Sequence, residues 1–145
     1  MFRAILVPTD GSSLSDKAVA GAIEFAKINP GSQIIGLSVV EHFPYNTPDG
    51  ISSPEVMAIE RGLIDLAKQN VAKLAEAASV AGIPCEVITA RSSSPSEEII
   101  KAASKYKCDC IVMASHGRSG LSQIFMGSVT QKVLTQTSIP VMVYR

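Results

Sequence analysis

The sequence predicts an α/β fold, in which a single open, parallel, five-stranded sheet carries helices on both faces within one domain spanning residues 1–145. Three observations lead there. Five short apolar runs alternate with four stretches whose apolar residues recur at helical spacing. The inner runs lack the apolar–polar alternation of a half-solvated sheet, as expected for strands covered on both sides. Gly, Pro, Asn, Asp and Ser gather at the junctions, where turns need them. Strands alternating with helices give a doubly wound sheet, and right-handed crossovers fix how each helix returns.

Ala4-Ile5-Leu6-Val7 is the first strand, ended by Pro8-Thr9-Asp10-Gly11. A helix follows from about Ser13, whose hydroxyl and Asp16 resemble a capping box. Ala18, Ala22, Phe25 and Ala26 make its apolar face, and Asn29-Pro30-Gly31 stops it. Ile34 to Val40 is the second strand, with Ser38 its one polar side chain. His42 to Pro54 is a loop rich in Pro, Ser, Asn, Asp and Gly.

Pro54 to Ala81 reads as one long helix, with Val56, Ile59, Leu63, Leu66, Val71, Leu74 and Ala78 every third or fourth position. Gly62 either kinks or weakens it, and Gly82-Ile83-Pro84 ends it. Cys85 to Ala90 is the third strand. Ser94-Pro95-Ser96-Glu97 signals the next helix, with Ser94 as N-cap, Pro at the first helical position and Glu97 reaching back. That helix carries Ile99, Ile100, Ala103 and Tyr106. Cys110 to Ala114 is the fourth strand. After a glycine-containing loop, a helix starts at Gly127 and turns Val129, Val133 and Leu134 to the core. Ile139 to Tyr144 is the last strand.

Composition narrows the function classes. Thirteen basic and thirteen acidic residues give a formal net charge of zero. A nucleic-acid footprint needs a basic face, so that class is disfavoured. No run approaches the ~18 apolar residues of a membrane span. The chain enters a strand directly after Met1, without the apolar region and cleavage site of a signal peptide. Cys85, Cys108 and Cys110 form an odd set, unsuited to a disulfide framework, and the Cys108-Asp109-Cys110 spacing is poor for zinc. Strand alternation would put Cys108 and Cys110 on one face, as buried inert thiols or, less simply, a redox pair. A reducing cytoplasm is the expected location.

The most informative segment runs from Cys110 to Ser128. An apolar strand passes into Ser115-His116-Gly117-Arg118-Ser119-Gly120, and Gly127-Ser128 then opens a helix. Glycines let backbone N–H groups approach a ligand, and a helix N-terminus offers unpaired donors at the positive end of its dipole. That order suits a phosphate. It is neither the dinucleotide fingerprint nor a Walker A loop. An ordinary strand-to-helix turn with a capped helix remains the alternative at this point.

Ligands of open parallel sheets bind beyond the carboxyl ends of the strands, where strand order reverses. Pro8 to Gly11 and Ala114 to Gly120 are the two loops with suitable chemistry, and they form two lips of one crevice if the first and fourth strands are neighbours. Asp10 is the one carboxylate this placement brings there. It can accept from ribose hydroxyls or an adenine amino group, hold hydrated Mg²⁺, or serve as a turn acid beside Gly11. Arg118 is either a phosphate partner or a solvated loop arginine. His116 is a phosphate contact, a general acid or a structural histidine. Ser128 and Thr130 donate to phosphate from the first helical turn or act in capping.

Together these segments resemble the universal stress protein family over the whole chain. The family's nucleotide motif is Gly-x2-Gly-x9-Gly-Ser/Thr, and Ala114-Ser115-His116-Gly117, nine residues, then Gly127-Ser128 align with it. Val7-Pro8-Thr9-Asp10, Val112 to Gly117 and Pro140-Val141-Met142-Val143 match in order and spacing. The resemblance implies a Rossmann-like fold of the adenine nucleotide alpha hydrolase type, with strand order three-two-one-four-five. It implies ATP as ligand, with Mg²⁺ a possible companion, and homodimers paired through the last strand. By position, Pro8, Thr9, Asp10 and Val39 take the adenine and ribose side, Met113 and Ala114 follow the ribose, and Gly117, Arg118, Gly127, Ser128, Val129 and Thr130 hold the phosphates. One departure stands out: Ala114 replaces the motif's first glycine. A positive φ there would cost alanine on the order of 1 kcal/mol. The retained Gly117, Gly127 and Ser128 place the chain with the nucleotide-binding branch.

The expected function is a cytoplasmic stress-response protein acting as an ATP-bound dimeric switch or sensor with an unidentified protein partner. Three alternatives stand beside it. A slow ATPase has Asp10, His116 and Arg118 as its candidates but lacks a convincing Lys or paired acid. A nucleotide-free dimeric scaffold needs none of the loop chemistry. An electron carrier of the flavodoxin type lacks the aromatic residues to stack a flavin.

Overall fold

The computed structural model describes residues 1–42, 53–117 and 126–145. Nine elements alternate along the chain: β1 (Ala4–Pro8), α1 (Ser13–Lys27), β2 (Gln33–Glu41), α2 (Pro54–Val80), β3 (Cys85–Ser92), α3 (Pro95–Lys105), β4 (Cys110–Ala114), α4 (Ser128–Gln136) and β5 (Val141–Tyr144). The strands form one parallel sheet in the order β3-β2-β1-β4-β5. β1 pairs with β2 on one side and, through Ile5↔Cys110 and Leu6↔Ile111, with β4 on the other. The order therefore reverses between β1 and β4, as the crevice argument requires.

Both faces of the inner strands are buried, which explains their uninterrupted apolar sequence. Leu6, Leu37, Ile111 and Met113 pack with Ile99, Ala103 and Val133 on the α3/α4 side. Ile5, Val7, Ile34 and Val112 pack with Val19, Ala22, Ile23 and Leu74 on the α1/α2 side. Leu74 lies close over Gly36, where an added Cβ would sit 3.0 Å from its methyl carbon.

Several local expectations change. The N-cap of α1 is Ser12, one residue before the expected Ser13; its hydroxyl accepts from the Ser15 N–H. α2 runs unbroken through Gly62, but Met57, Ile59 and Leu63 in its first half are exposed, and its buried residues begin at Ala67. Ser94 precedes α3 with φ −131° and ψ 89°, off the usual cap geometry, and makes no side-chain cap bond. Leu134 is exposed because Val133 takes the core-facing position of α4.

Cys108 and Cys110 lie on opposite faces of the sheet, not on one. Strand alternation does not extend to Cys108: Lys107, with φ 52°, turns the chain, and β4 begins only at Cys110. All three cysteines are free thiols. Burial pushes the Cys108 thiol up to about 11, helped by Asp109 and Cys110, and burial raises Cys85 and Cys110 as well. Thiols held protonated are poor nucleophiles, which argues against a redox pair. The expected loop at 43–52 lies outside the described residues. Among the described residues, no helix is long and apolar enough to cross a membrane.

Candidate functional site

A cavity of about 400 Å³ opens at the carboxyl ends of β1, β2 and β4, on the α3/α4 side of the sheet. Its volume lies within the ~300–1,000 Å³ common for small-molecule sites. Pro8, Thr9 and Asp10 form one wall; Met113, Ala114, His116 and Gly117 form the opposite wall. Val39 lies at the β2 end, and Gly127, Ser128, Val129 and Thr130 bring the start of α4 to the rim. Every expected site residue within the described part of the chain thus lines one cavity. Arg118 lies outside the described residues.

The β1–α1 wall is held by its own side chains. Thr9 Oγ1 accepts from the Gly11 N–H (3.3 Å) and the Ser15 hydroxyl (2.9 Å), and Asp10 Oδ1 accepts from the Ser12 N–H (2.9 Å). Gly11 has φ +76°, a left-handed turn that favours glycine, and a Cβ there would collide with the Asn70 amide.

The β4–α4 wall is built differently. The Ser115 N–H donates to the Tyr144 carbonyl (2.7 Å), and the Ser115 carbonyl accepts from the Gly127 N–H (2.8 Å). The buried Thr130 hydroxyl donates to the carbonyls of Ala114 (2.9 Å) and Ser115 (3.3 Å). These bonds clamp the start of α4 against the end of β4. The first intrahelical bond is Gln131 N–H to the Gly127 carbonyl (3.0 Å). Gly127, the N-cap, has no side chain to cap the amides that follow it. The Ser128, Val129 and Thr130 N–H groups therefore begin a helix whose positive end meets the cavity.

The two glycines of this wall serve close approach, not unusual torsion. Gly127 has φ −60°, and neither it nor Gly117 has a positive φ. A Cβ on Gly127 would lie 3.0 Å from the Ser115 carbonyl oxygen; on Gly117 it would lie 2.6 Å from Asp10 Oδ2. Gly117 therefore lets the two lips close on each other.

Three site expectations are corrected by this geometry. Ala114 is a strand residue without positive φ, so the alanine in place of glycine carries no backbone strain. The Thr130 hydroxyl is a structural donor to two carbonyls, leaving its N–H as the group it can offer an anion. Asp10 is not the only carboxylate, because Glu41 also lines the cavity.

Glu41, Leu37, Ser15, Pro95 and Ile99 are lining residues that the sequence reasoning missed. Leu37 and Glu41 flank Val39 at two-residue spacing, so strand alternation alone places all three on one face. Pro95 and Ile99 stand one helical turn apart on α3. Ser15 lies in the first turn of α1, beside Thr9. Among the described residues, no group of three or more His, Cys, Asp or Glu side chains is arranged to hold a metal ion.

Comparison with known proteins agrees with the fold. The Universal stress protein family matches residues 1–145. Universal stress protein MJ0531 of Methanocaldococcus jannaschii is 33% identical over 148 residues, covering 100% of this chain and 83% of its own length. The universal stress protein encoded in the QAH/OAS sulfhydrylase 3′ region of Thermus aquaticus is 32% identical, with 100% of both chains covered. The solved structure of MJ0577, also from M. jannaschii, superposes with a TM-score of 0.84 at 28% identity, covering 99% of this chain and 96% of the other. Two neighbours share the fold at lower identity. A universal stress protein in complex with cAMP has TM-score 0.71 and 20% identity, with 99% and 97% covered. The universal stress protein of Archaeoglobus fulgidus in complex with dAMP has TM-score 0.70 and 19% identity, with 99% and 98% covered. Matched from end to end by the family and by relatives a third identical, the chain belongs to the universal stress protein family.

Proposed function

We propose that the crevice binds an adenine nucleotide, ATP foremost, and that the protein works as a dimeric stress-response switch in the cytoplasm. The carrying observation is the uncapped N-terminus of α4, clamped by Ser115 and Thr130 so that its free amides meet the cavity. In this reading the phosphates lie against the N–H groups of Gly117, Ser128, Val129 and Thr130 and the Ser128 hydroxyl, with Arg118 as their cationic partner. The ribose and base occupy the side made by Pro8, Thr9, Asp10 and Val39, with Met113 and Ala114 beneath the ribose. Mg²⁺ would accompany the triphosphate, with Asp10 the nearest carboxylate on the opposite lip. The cAMP and dAMP complexes of two proteins with this fold support an adenine ligand.

The 145 residues act as one domain, and two copies pair through β5, whose outer edge has no strand beside it among the described residues. Nucleotide binding shifts the population between two states of the protein, and a partner protein reads the difference. Titration calorimetry with ATP, with and without Mg²⁺, tests the reading. Binding by the unaltered protein is expected, with Gly117→Val and Ser128→Ala each weaker. Unchanged affinity in both variants removes the phosphate assignment. No thermal shift at millimolar ATP with Mg²⁺ turns the reading to a nucleotide-free scaffold.

A further inference from the structure

Leu37, Val39 and Glu41 share one face of β2 and line the cavity at the end away from α4. β1 stands between β2 and β4, so this end lies two strand spacings, roughly 10 Å, from the strand that leads into α4. Its walls are apolar: Leu37 and Val39 from β2, Pro95 and Ile99 from α3. Glu41 is the last residue of β2, and it sets a carboxylate at the mouth of this slot. Two cationic side chains are close in the chain or the sheet, and both face the other way. His42 follows Glu41, and Arg91 stands opposite Val40 in the β2–β3 ladder. Glu60 of α2 draws both: Arg91 Nη2 donates to its Oε1 at 3.0 Å, and His42 Nδ1 lies 3.3 Å from the same oxygen. Among the described residues, Glu41 has no ion pair. An acceptor at the mouth of an apolar slot suits a flat ligand whose outer edge donates.

We propose that Glu41 determines base specificity: its carboxylate accepts from the exocyclic amino group of the bound purine and so selects a 6-amino base over a 6-oxo one. This deepens the nucleotide reading above and rests on it. Phosphates at α4 leave the base in the slot at the β2 end, with its edge toward Glu41. Adenine presents an N–H donor there. Hypoxanthine presents a carbonyl oxygen in its place, so two acceptors meet and neither is satisfied.

Calorimetry with ATP, ITP and inorganic tripolyphosphate tests it. ITP is the sharper competitor, because GTP adds a 2-amino donor that a carboxylate can also take. The unaltered protein should bind ATP roughly 10-fold more tightly than ITP, the scale of one hydrogen bond to a charged group. Glu41→Gln carries an amide that both accepts and donates, and it should bring the two nucleotides within about threefold of each other. Glu41→Ala should also narrow the ratio, by weakening ATP. Tripolyphosphate should bind all three proteins alike, since it reaches only the α4 end. Glu41 is exposed, so neither substitution should cost much stability. Equal binding of ATP and ITP by the unaltered protein overturns this proposal alone, and so does an ATP-to-ITP ratio that Glu41→Gln leaves unchanged. Absence of ATP binding by the unaltered protein removes the nucleotide reading and this proposal together.

Discussion

α1 and α4 both follow strands that meet where the sheet order reverses, yet their first turns are opposites. α1 begins behind Ser12, whose hydroxyl takes the Ser15 N–H, while Asp10 takes the Ser12 N–H and Thr9 takes the Gly11 N–H. The Gly11, Ser12 and Ser15 N–H groups are thus spent inside the protein. α4 begins behind Gly127, which offers no side chain, and its positive end meets the cavity. Two helix N-termini at one crevice thus have different uses. On the proposed reading the capped start of α1 is a structural joint, whereas the uncapped start of α4 receives the anion. What separates them is one residue at the cap.

The largest effect should come from making α4 resemble α1. Gly127→Asp supplies a carboxylate that can accept from the Val129 or Thr130 N–H and repel phosphate. ATP affinity should fall roughly 100-fold, about 2.7 kcal/mol, by calorimetry. A cap of this kind typically stabilises by ~1 kcal/mol, but the new Cβ would lie 3.0 Å from the Ser115 carbonyl oxygen and offset part of that gain. Full ATP affinity in Gly127→Asp would show that the start of α4 does not receive the phosphates.

How much of this contrast could be read in the sequence depends on the reach of each interaction. The alternating strands and helices were legible because burial on both sheet faces writes itself as local apolar runs. Gly127-Ser128 was legible because a cap is a local matter. The reason for the glycines was not. Gly117 is required by Asp10 across the crevice and Gly127 by the Ser115 carbonyl, contacts that exist only once β1 and β4 are neighbours. Thr130 was misread for the same reason, since its hydroxyl acceptors lie at the end of β4. Glu41 and Leu37 were within reach, because alternation from Val39 points to both. Ser94 shows the reverse: a good cap residue in sequence whose backbone does not adopt the cap geometry.

A middle effect should follow from loosening the clamp on α4. Thr130→Val keeps the side-chain shape and removes the donor to the Ala114 and Ser115 carbonyls. The part-buried bond to Ala114 and the buried one to Ser115 are lost, and stability should fall by about 1–2 kcal/mol in urea denaturation. An unchanged midpoint would mean that the Gly127 N–H to Ser115 bond holds the helix start by itself.

The smallest effect should come from uncapping α1. Ser12→Ala removes the acceptor of the Ser15 N–H, a bond of 3.2 Å. Loss of such a cap typically costs about 1 kcal/mol, read as a lower urea midpoint with an unchanged slope. Ser12 does not line the cavity, so ATP affinity should stay within about twofold. The paired outcome is what discriminates. If the two helix starts have separate uses, opening α1 lowers stability and leaves ligand binding alone. If Ser12→Ala instead changes ATP affinity as strongly as Gly127→Asp, the β1–α1 turn takes part in holding the phosphates, and the division between joint and site does not stand.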